Sequence, residues 1–383
     1  MDAASPPLHG AAKGAGGPAA PVDALCMAAA DARCDFRPAR FNRRAVGRSD
    51  VLLDMKYCGI CHTDVHAAQG HLVALSGRCY PCVPGHELAG VVAAVGADVT
   101  RVKVGDHVGV GCMVDSCLTC AACRRGEEQM CSKQTATYNG KDNGSGRAAP
   151  GPGAPAHTLG GYTDKFVVHE RFAVVIPKSY PRECAGPVMC AGVTLFDPLR
   201  RYGATKGTRV GVVGLGGLGQ MGIRLAKAMG CIVTAITRSA AKADFAKECG
   251  ADFVIVSTSS DDMARARAAR ALDLVLNTIP VEHDYAPFTA LLAPVSAPTL
   301  CAAQMPPLLP PPPPPPPPPQ HSPRHADASS RRSHHHHSAL SPSRAGRQQA
   351  GHARPEHGAH RGHGRKRDCL RPLARRGLGH RRH

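Results

Sequence analysis

The sequence predicts a β-rich, barrel-like domain followed by a parallel, doubly wound α/β sheet, with low-complexity segments at both ends. Three observations predict this. From about Phe41 to Lys178, short Val-rich runs such as VLLDMKYCGI, ELAGVVAAVG, DHVGVG, DKFVVH and FAVVIP are broken by Gly and Pro; runs of that length bounded by turn residues are strands of a compact β domain. From about Cys190 the rhythm becomes strand, helix, strand: RVGVVG, LGQMGIRLAKAMG, IVTAIT, an Ala/Lys segment, FVIVS and DLVLNT. That alternation is the pattern of a parallel sheet with helices on its faces. Residues 1–26 are rich in Ala, Gly and Pro, and the stretch past Pro294 contains a proline run from Pro310 to Pro319 and four histidines from His334 to His337. Such ends have too little apolar surface to offset the entropy of ordering.

The first strands carry the first chemistry. CGICHTDVH (Cys58–His66) and PGHE (Pro84–Glu87) lie ahead of the second half, and MCAGVT (Met189–Thr194) lies at its start. Cys61, His86 and Cys190 make a mixed three-ligand set, which leaves one position open, as a catalytic zinc requires. Asp64 is a candidate to orient His86 through its second ring nitrogen. Thr63 can place a hydroxyl near the bound oxygen, and His66 can pass a proton toward solvent. Between these segments, Cys117, Cys120, Cys123 and Cys131 stand at C-x2-C-x2-C-x7-C. Four thiolates in a short lobe close a tetrahedral shell, so this site is structural and not reactive. The chain is thus expected to hold two Zn²⁺. Cys79-Tyr-Pro-Cys82 has redox spacing but lacks the helix that such a motif needs.

The next element is the nucleotide loop. The apolar strand Val210–Val213 runs into Gly214, Leu215, Gly216, Gly217, Leu218 and Gly219, and a helical run follows to Met229 with Gly230 as its stop. Strand, G-x-G-x-x-G and helix in that order cradle a pyrophosphate at a helix N-terminus. The strand IVTAIT ends in Thr237, Arg238 and Ser239, with Lys242 close by. An NAD site places a carboxylate there; hydroxyls and cations suit the 2′-phosphate of NADP(H).

Bulk properties exclude other classes. The 383 residues carry a formal net charge of +18, but the chain from Cys301 onward holds 15 of the 47 Lys and Arg and only 3 of the 29 Asp and Glu. The body is therefore only mildly basic, and no nucleic-acid role is expected. No apolar run approaches the roughly 18 residues of a membrane span. The first residues lack the apolar core of a secretory signal, so the 17 cysteines read as ligands and reduced thiols. The expected compartment is the cytoplasm, with the plastid as the alternative.

In order and spacing these motifs resemble the zinc-dependent medium-chain alcohol dehydrogenases, in the cinnamyl alcohol dehydrogenase and NADPH-dependent aldehyde reductase branch. YCGICHTDVH, VPGHELAGVV, VGDHVGVG, LGGYTDKFVVH, CAGVT, GVVGLGGLGQMGIRLAKAMG and DLVLNT carry the resemblance over about residues 27–293. It implies a GroES-like catalytic domain over 27–195 and a Rossmann NADP-binding domain over 196–293. It implies Glu87 beside the catalytic zinc, Thr63 and His66 as proton relay, and Thr194 near the nicotinamide. The family expectation is a homodimer acting on a small aldehyde or alcohol. The sequence departs from the pattern twice. Ala136 stands where lignifying-plant enzymes of the branch have a pocket tryptophan, and a Pro/His/Arg-rich segment over 294–383 replaces the last Rossmann strands and the dimer edge. The expected function is NADP(H)-linked interconversion of aldehydes and primary alcohols. The alternatives are a zinc- and nucleotide-binding member impaired by its altered C-terminus, and an interaction protein working through its polyproline and basic tail.

Overall fold

The computed structural model describes residues 20–72, 79–294 and 299–302. In chain order the strands are β1 Val22–Ala29, β2 Phe36–Arg43, β3 Asp50–Cys58, β4 Leu88–Val95, β5 His107–Val110, β6 Met113–Asp115, β7 Thr135–Ala136, β8 Lys165–His169, β9 Val174–Val175, β10 Arg209–Val213, β11 Ile232–Thr237, β12 Phe253–Val256, β13 Leu274–Asn277 and β14 Thr299–Ala302. The helices used below are α1 His62–Ala68, α2 Ala121–Arg124, α3 Val193–Arg201, α4 Gly217–Ala228, α5 Ala243–Glu248, α6 Ser260–Ala269 and α7 Ala286–Thr289.

The β-rich half is built on an antiparallel sheet in the order β8-β3-β4-β5-β9. Alternation along the strands turns Val51, Leu53, Leu88, Val92, Val108, Phe166 and Val168 inward, and these residues form its core. β1 and β2 form a hairpin at its side, and β6 pairs with β7 next to the cysteine-rich lobe.

The second half is a parallel sheet in the order β12-β11-β10-β13-β14. Sequential strands that add on both sides of β10 require crossovers on both faces, and α4 supplies the first of them. Its Ile223 and Ala226 pack on Val210, Val212, Val233 and Leu274. Met263 of α6 and Phe288 of α7 pack on the other side with Val275 and Leu291.

Two sequence boundaries move. The leader was expected to run to residue 26, but β1 begins at Val22 and pairs with β2 along its full length. Its inward residues are Ala24, Cys26 and Ala28, so the period-2 signal is written in side chains too small to stand out from an Ala-rich stretch. The C-terminal segment was expected to be unordered from 294, with DLVLNT as the last strand. Instead β14 pairs in parallel register with β13, Leu274 opposite Thr299 and Asn277 opposite Ala302. Four residues among prolines are too short a run to read as a strand, and the ladder is satisfied by backbone groups that the sequence pattern does not show. The remaining leader residues 1–19 and the tail 303–383 lie outside the described residues.

Every residue of β13 is buried, so loss of its outer neighbour leaves unpaired groups on a buried strand. A chain ended after residue 294 should unfold at lower urea than one ended after residue 302, by about 2–4 kcal/mol if each ladder bond contributes about 1 kcal/mol. Equal urea midpoints for the two truncations would refute a stabilising β14.

Candidate metal and nucleotide sites

The first thiol site is assembled by one short helix and two loops. Cys61 caps α1, and Asp64, at the third helical position, reaches back to accept from the Cys61 N–H at 2.9 Å. This capping geometry satisfies an orphan helix donor and also fixes where the Cys61 sulfur points. The same Asp64 carboxylate, 2% exposed, accepts from the Gly85 N–H at 3.1 Å and the Tyr162 hydroxyl at 3.0 Å, and contacts His86 Nδ1 at 2.9 Å. The other ring nitrogen, Nε2, thereby faces Cys190 Sγ at 3.2 Å. Gly85 makes the turn at φ +103°, where an added Cβ would strike Tyr162 and Cys58. Cys190 lies in a wide helical turn, Val188–Gly192, that leads directly into α3.

The donor atoms of Cys61, His86, Glu87 and Cys190 lie within 4.8 Å of one another. The set is electrostatically crowded without a cation. Hydrogen bonding from the Cys190 thiol, against burial, draws Cys61 down to about 3. Cys112 and Cys61 in turn push Cys190 strongly upward. Burial pulls the His86 ring down, but bonding to Asp64 and Cys61 outweighs it and raises His86 to about 10. Burial also raises Glu87. Two soft sulfurs and one imidazole on a buried carboxylate are the donor set of a zinc site with an open position.

The second thiol site is closed. Cys117, Cys120, Cys123 and Cys131 bring four sulfurs within 4.8 Å of one another, with no imidazole or carboxylate among them. Backbone N–H groups already point at the sulfurs: Cys120 N–H to Cys117 at 3.2 Å, Cys117 N–H to Cys131 at 3.5 Å and Lys133 N–H to Cys131 at 3.3 Å. The donors from Thr119 and Cys120 lower Cys117 to about 5. The loop is folded as a thiolate cradle, with α2 supplying the Cys123 position.

The remaining predicted residues other than Gly219 meet in one cleft of about 2260 Å³ lined from both halves. Thr63, His66 and Thr194 line it beside the first thiol site, Gly214 to Leu218 line its middle, and Thr237, Arg238, Ser239 and Lys242 line its far end. Gly214 takes φ +90°, and a Cβ on Gly219 would sit 1.9 Å from the Gly214 carbonyl oxygen, while Gly216 and Gly217 face open space. Turn, open floor and helix contact thus fall to separate glycines. Arg238 and Lys242 are exposed, and neither is in an ion pair among the described residues. The Thr237 hydroxyl is buried and accepts from the Ser239 N–H at 3.3 Å.

His66 is buried to 7% exposure in the cleft wall, and its Nδ1 lies 3.1 Å from Nδ1 of His71. Sequence reasoning missed Cys112, Tyr138 and Tyr162. Tyr138 places its hydroxyl 3.3 Å from His86 Nδ1, and Cys112 bonds Cys190. The fifth thiol, five residues ahead of the quartet, was a visible signal; the tyrosines carried none.

Two family models match the chain: alcohol dehydrogenase GroES-like domain over residues 47–178 and zinc-binding dehydrogenase over residues 217–307. Aldehyde reductase YahK of Escherichia coli is 44% identical over 280 residues, covering 72% of this chain and 76% of that protein. The chain belongs to the zinc-dependent medium-chain alcohol dehydrogenases. Probable cinnamyl alcohol dehydrogenase 3 of rice is 41% identical, covering 71% of this dehydrogenase and 70% of the relative. Among solved structures, a cinnamyl alcohol dehydrogenase from Sorghum bicolor superposes with a TM-score of 0.66 at 40% identity, over 74% of this chain and 77% of that one. The CAD of Helicobacter pylori, solved in complex with NADP(H), gives 0.65 at 35% identity, over 75% and 77%. The first matched region contains the quartet with Cys61, His86 and Glu87, Cys190 lies between the two matches, and the resemblance read from the motifs stands.

Two outcomes follow from the geometry. Asp64→Asn removes the charge that holds His86, so zinc affinity at the Cys61, His86 and Cys190 set should fall about 10–100-fold while the quartet keeps its metal; chelator competition with elemental analysis reads this, and equal loss from both sites would contradict it. His86, raised to about 10, and Cys190, a thiol pushed above its ordinary value by Cys112 and Cys61, are protonated at neutrality and must each lose a proton to ligate. Zinc uptake at pH 7 should therefore release about two protons at this site, and affinity should weaken as pH falls. A titration in indicator dye with no proton release would contradict the assignment.

Proposed function

We propose that this dehydrogenase interconverts aldehydes and primary alcohols with NADP(H). The observation that carries the reading is the single cleft, lined together by a three-ligand metal set with a neighbouring hydroxyl, a glycine loop, and Arg238 and Lys242 at a strand end with no ion pair among the described residues. Cys61, His86 and Cys190 would hold a catalytic zinc, with Glu87 beside it, and the quartet a structural zinc. Bound there, the metal supplies a Lewis acid for a carbonyl, and the cofactor supplies the hydride.

The chain's own residues do the rest. Asp64 fixes the His86 tautomer so that Nε2 faces the metal position. Thr63, whose hydroxyl is 3.5 Å from Cys61 Sγ, is placed to hold the proton that the product alcohol requires. His66, whose Nδ1 lies 3.1 Å from His71 Nδ1, would pass that proton on. Gly214 to Gly219 admit the pyrophosphate, and Arg238, Ser239 and Lys242 with the Thr237 strand end meet the 2′-phosphate. Ala136, exposed in the cleft, leaves room where a bulky side chain would narrow it, which favours a broad range of aldehydes. The family expectation of a homodimer and a cytoplasmic location belong to the same proposal; among the described residues no helix is long and apolar enough to cross a membrane.

A second reading is a chain that binds zinc and NADP(H) but turns over weakly. It rests on the five described strands of the parallel sheet, where the doubly wound nucleotide fold usually has six. Consumption of NADPH with a panel of aldehydes separates the two readings.

The cofactor assignment has its own test. Thr237→Asp puts a carboxylate where the 2′-phosphate is expected, and one charge-assisted contact is worth about 1.5–3 kcal/mol. The preference for NADPH over NADH should fall by about 10–100-fold in kcat/KM, and an unchanged ratio would show that the phosphate binds elsewhere.

A further inference from the structure

The segment that follows β13 forms one wall of the cleft, with Thr278 through His283 lining it. Its first residue is tied to the glycine loop. Thr278 donates its N–H and its hydroxyl to the Val213 carbonyl at 2.9 and 2.7 Å, and a Cβ on Gly214 would lie 2.8 Å from the Thr278 hydroxyl. Its last residue is tied back to the same strand. Asn277, 1% exposed, accepts the Ile279 N–H on Oδ1 at 3.1 Å, which fixes the orientation of its amide. Its Nδ2 is then the atom 2.8 Å from His283 Nε2. An amide nitrogen can only donate, so Nε2 accepts, and the ring proton sits on Nδ1 and goes to the Val281 carbonyl at 2.7 Å. The ring stands beside Tyr285, centroids 4.8 Å apart, and beside the buried Phe288 at 6.0 Å.

The geometry points to His283 as a positioning residue for the cofactor. It is a cross-brace that closes residues 277–283 into one turn and holds Ile279, Pro280 and Val281 in the wall of the cleft that the metal set also lines. Val281 and Glu282 are exposed and belong to no buried apolar cluster among the described residues, so the brace supplies order that core packing does not. A wall fixed before binding does not have to be ordered during binding, and its loss should appear in nucleotide affinity more than in turnover. The inference rests on the proposed NADP(H) reading for the identity of the ligand.

The test uses the zinc-loaded, full-length protein with two variants. His283→Phe keeps a ring for Tyr285 and Phe288 but loses both hydrogen bonds. His283→Gln offers one acceptor and one donor, as the Nδ1-protonated imidazole does. NADPH binding followed by fluorescence should weaken about tenfold in His283→Phe, as loss of roughly 1.4 kcal/mol implies, and by less than about threefold in His283→Gln. KM for NADPH should rise with KM for the aldehyde unchanged. Hydrogen exchange in cofactor-free protein gives a readout independent of NADPH. The amides of Ile279, Val281 and Glu282 should exchange faster in His283→Phe than in the parent, at equal zinc content and urea midpoint, and His283→Gln should restore them. Parent-like affinity and exchange in His283→Phe, or a loss in His283→Gln as large as in His283→Phe, would overturn the brace. A parent that fails to bind NADPH would instead sink the cofactor assignment, and exchange alone would then decide the brace.

Discussion

The site depends on one buried carboxylate. Asp64 receives the Cys61 N–H, the Gly85 N–H, the Tyr162 hydroxyl and the His86 ring, and these partners come from α1, the loop before β4 and the segment before β8. Burial alone would raise its pKa, yet the bond to His86 and the other donors hold it below the usual carboxylate range. A buried charge is tolerated only when its lone pairs are occupied, so each donor stabilises the ionised form that the others need. The carboxylate thus converts three loosely related segments into one frame, and two of the three metal-facing groups take their direction from it.

Much of this frame was legible in the residues. The ligand sets, the glycine loop and the order of the two halves follow from spacing, because metal shells and tight turns permit few residue types at few separations. Asp64 was legible for the same reason: it lies on the helix that Cys61 begins, within reach of a neighbouring loop. What was hidden depends on distance in the fold. β1 turns only Ala and Cys inward, and such small side chains resemble those of a disordered leader. β14 is a backbone event, and its partner strand shows only that something must cover it. The burial of His66 beside His62 and His71 carries no motif that spacing could show. Tyr138 and Tyr162 had no motif to mark them, and only their approach to His86 and Asp64 gives them meaning.

The two thiol sites contrast in how they are held. In the quartet, the backbone of a single loop donates to the sulfurs, so folding of that loop and shaping of the site are the same event. In the mixed set, the ligands come from points far apart in sequence and are oriented by side chains, which leaves one side open to the cleft. Closure suits a brace and openness suits chemistry.

Cys190 occupies a joint between two bodies. Just before it, Met189 packs with Ala89, Ile176 and Ala185 of the β-rich half, and a Cβ on Gly109 would strike its sulfur. Just after it, Leu195 and Leu199 of α3 are buried in the core of the parallel sheet with Val210, Val212 and Ile223. One ligand atom therefore rides on the linkage itself, while Cys61 and His86 belong wholly to the β-rich side. The three-donor set and the linkage between the two halves therefore share one stretch of backbone, Val188–Gly192, so whatever fixes that turn fixes both.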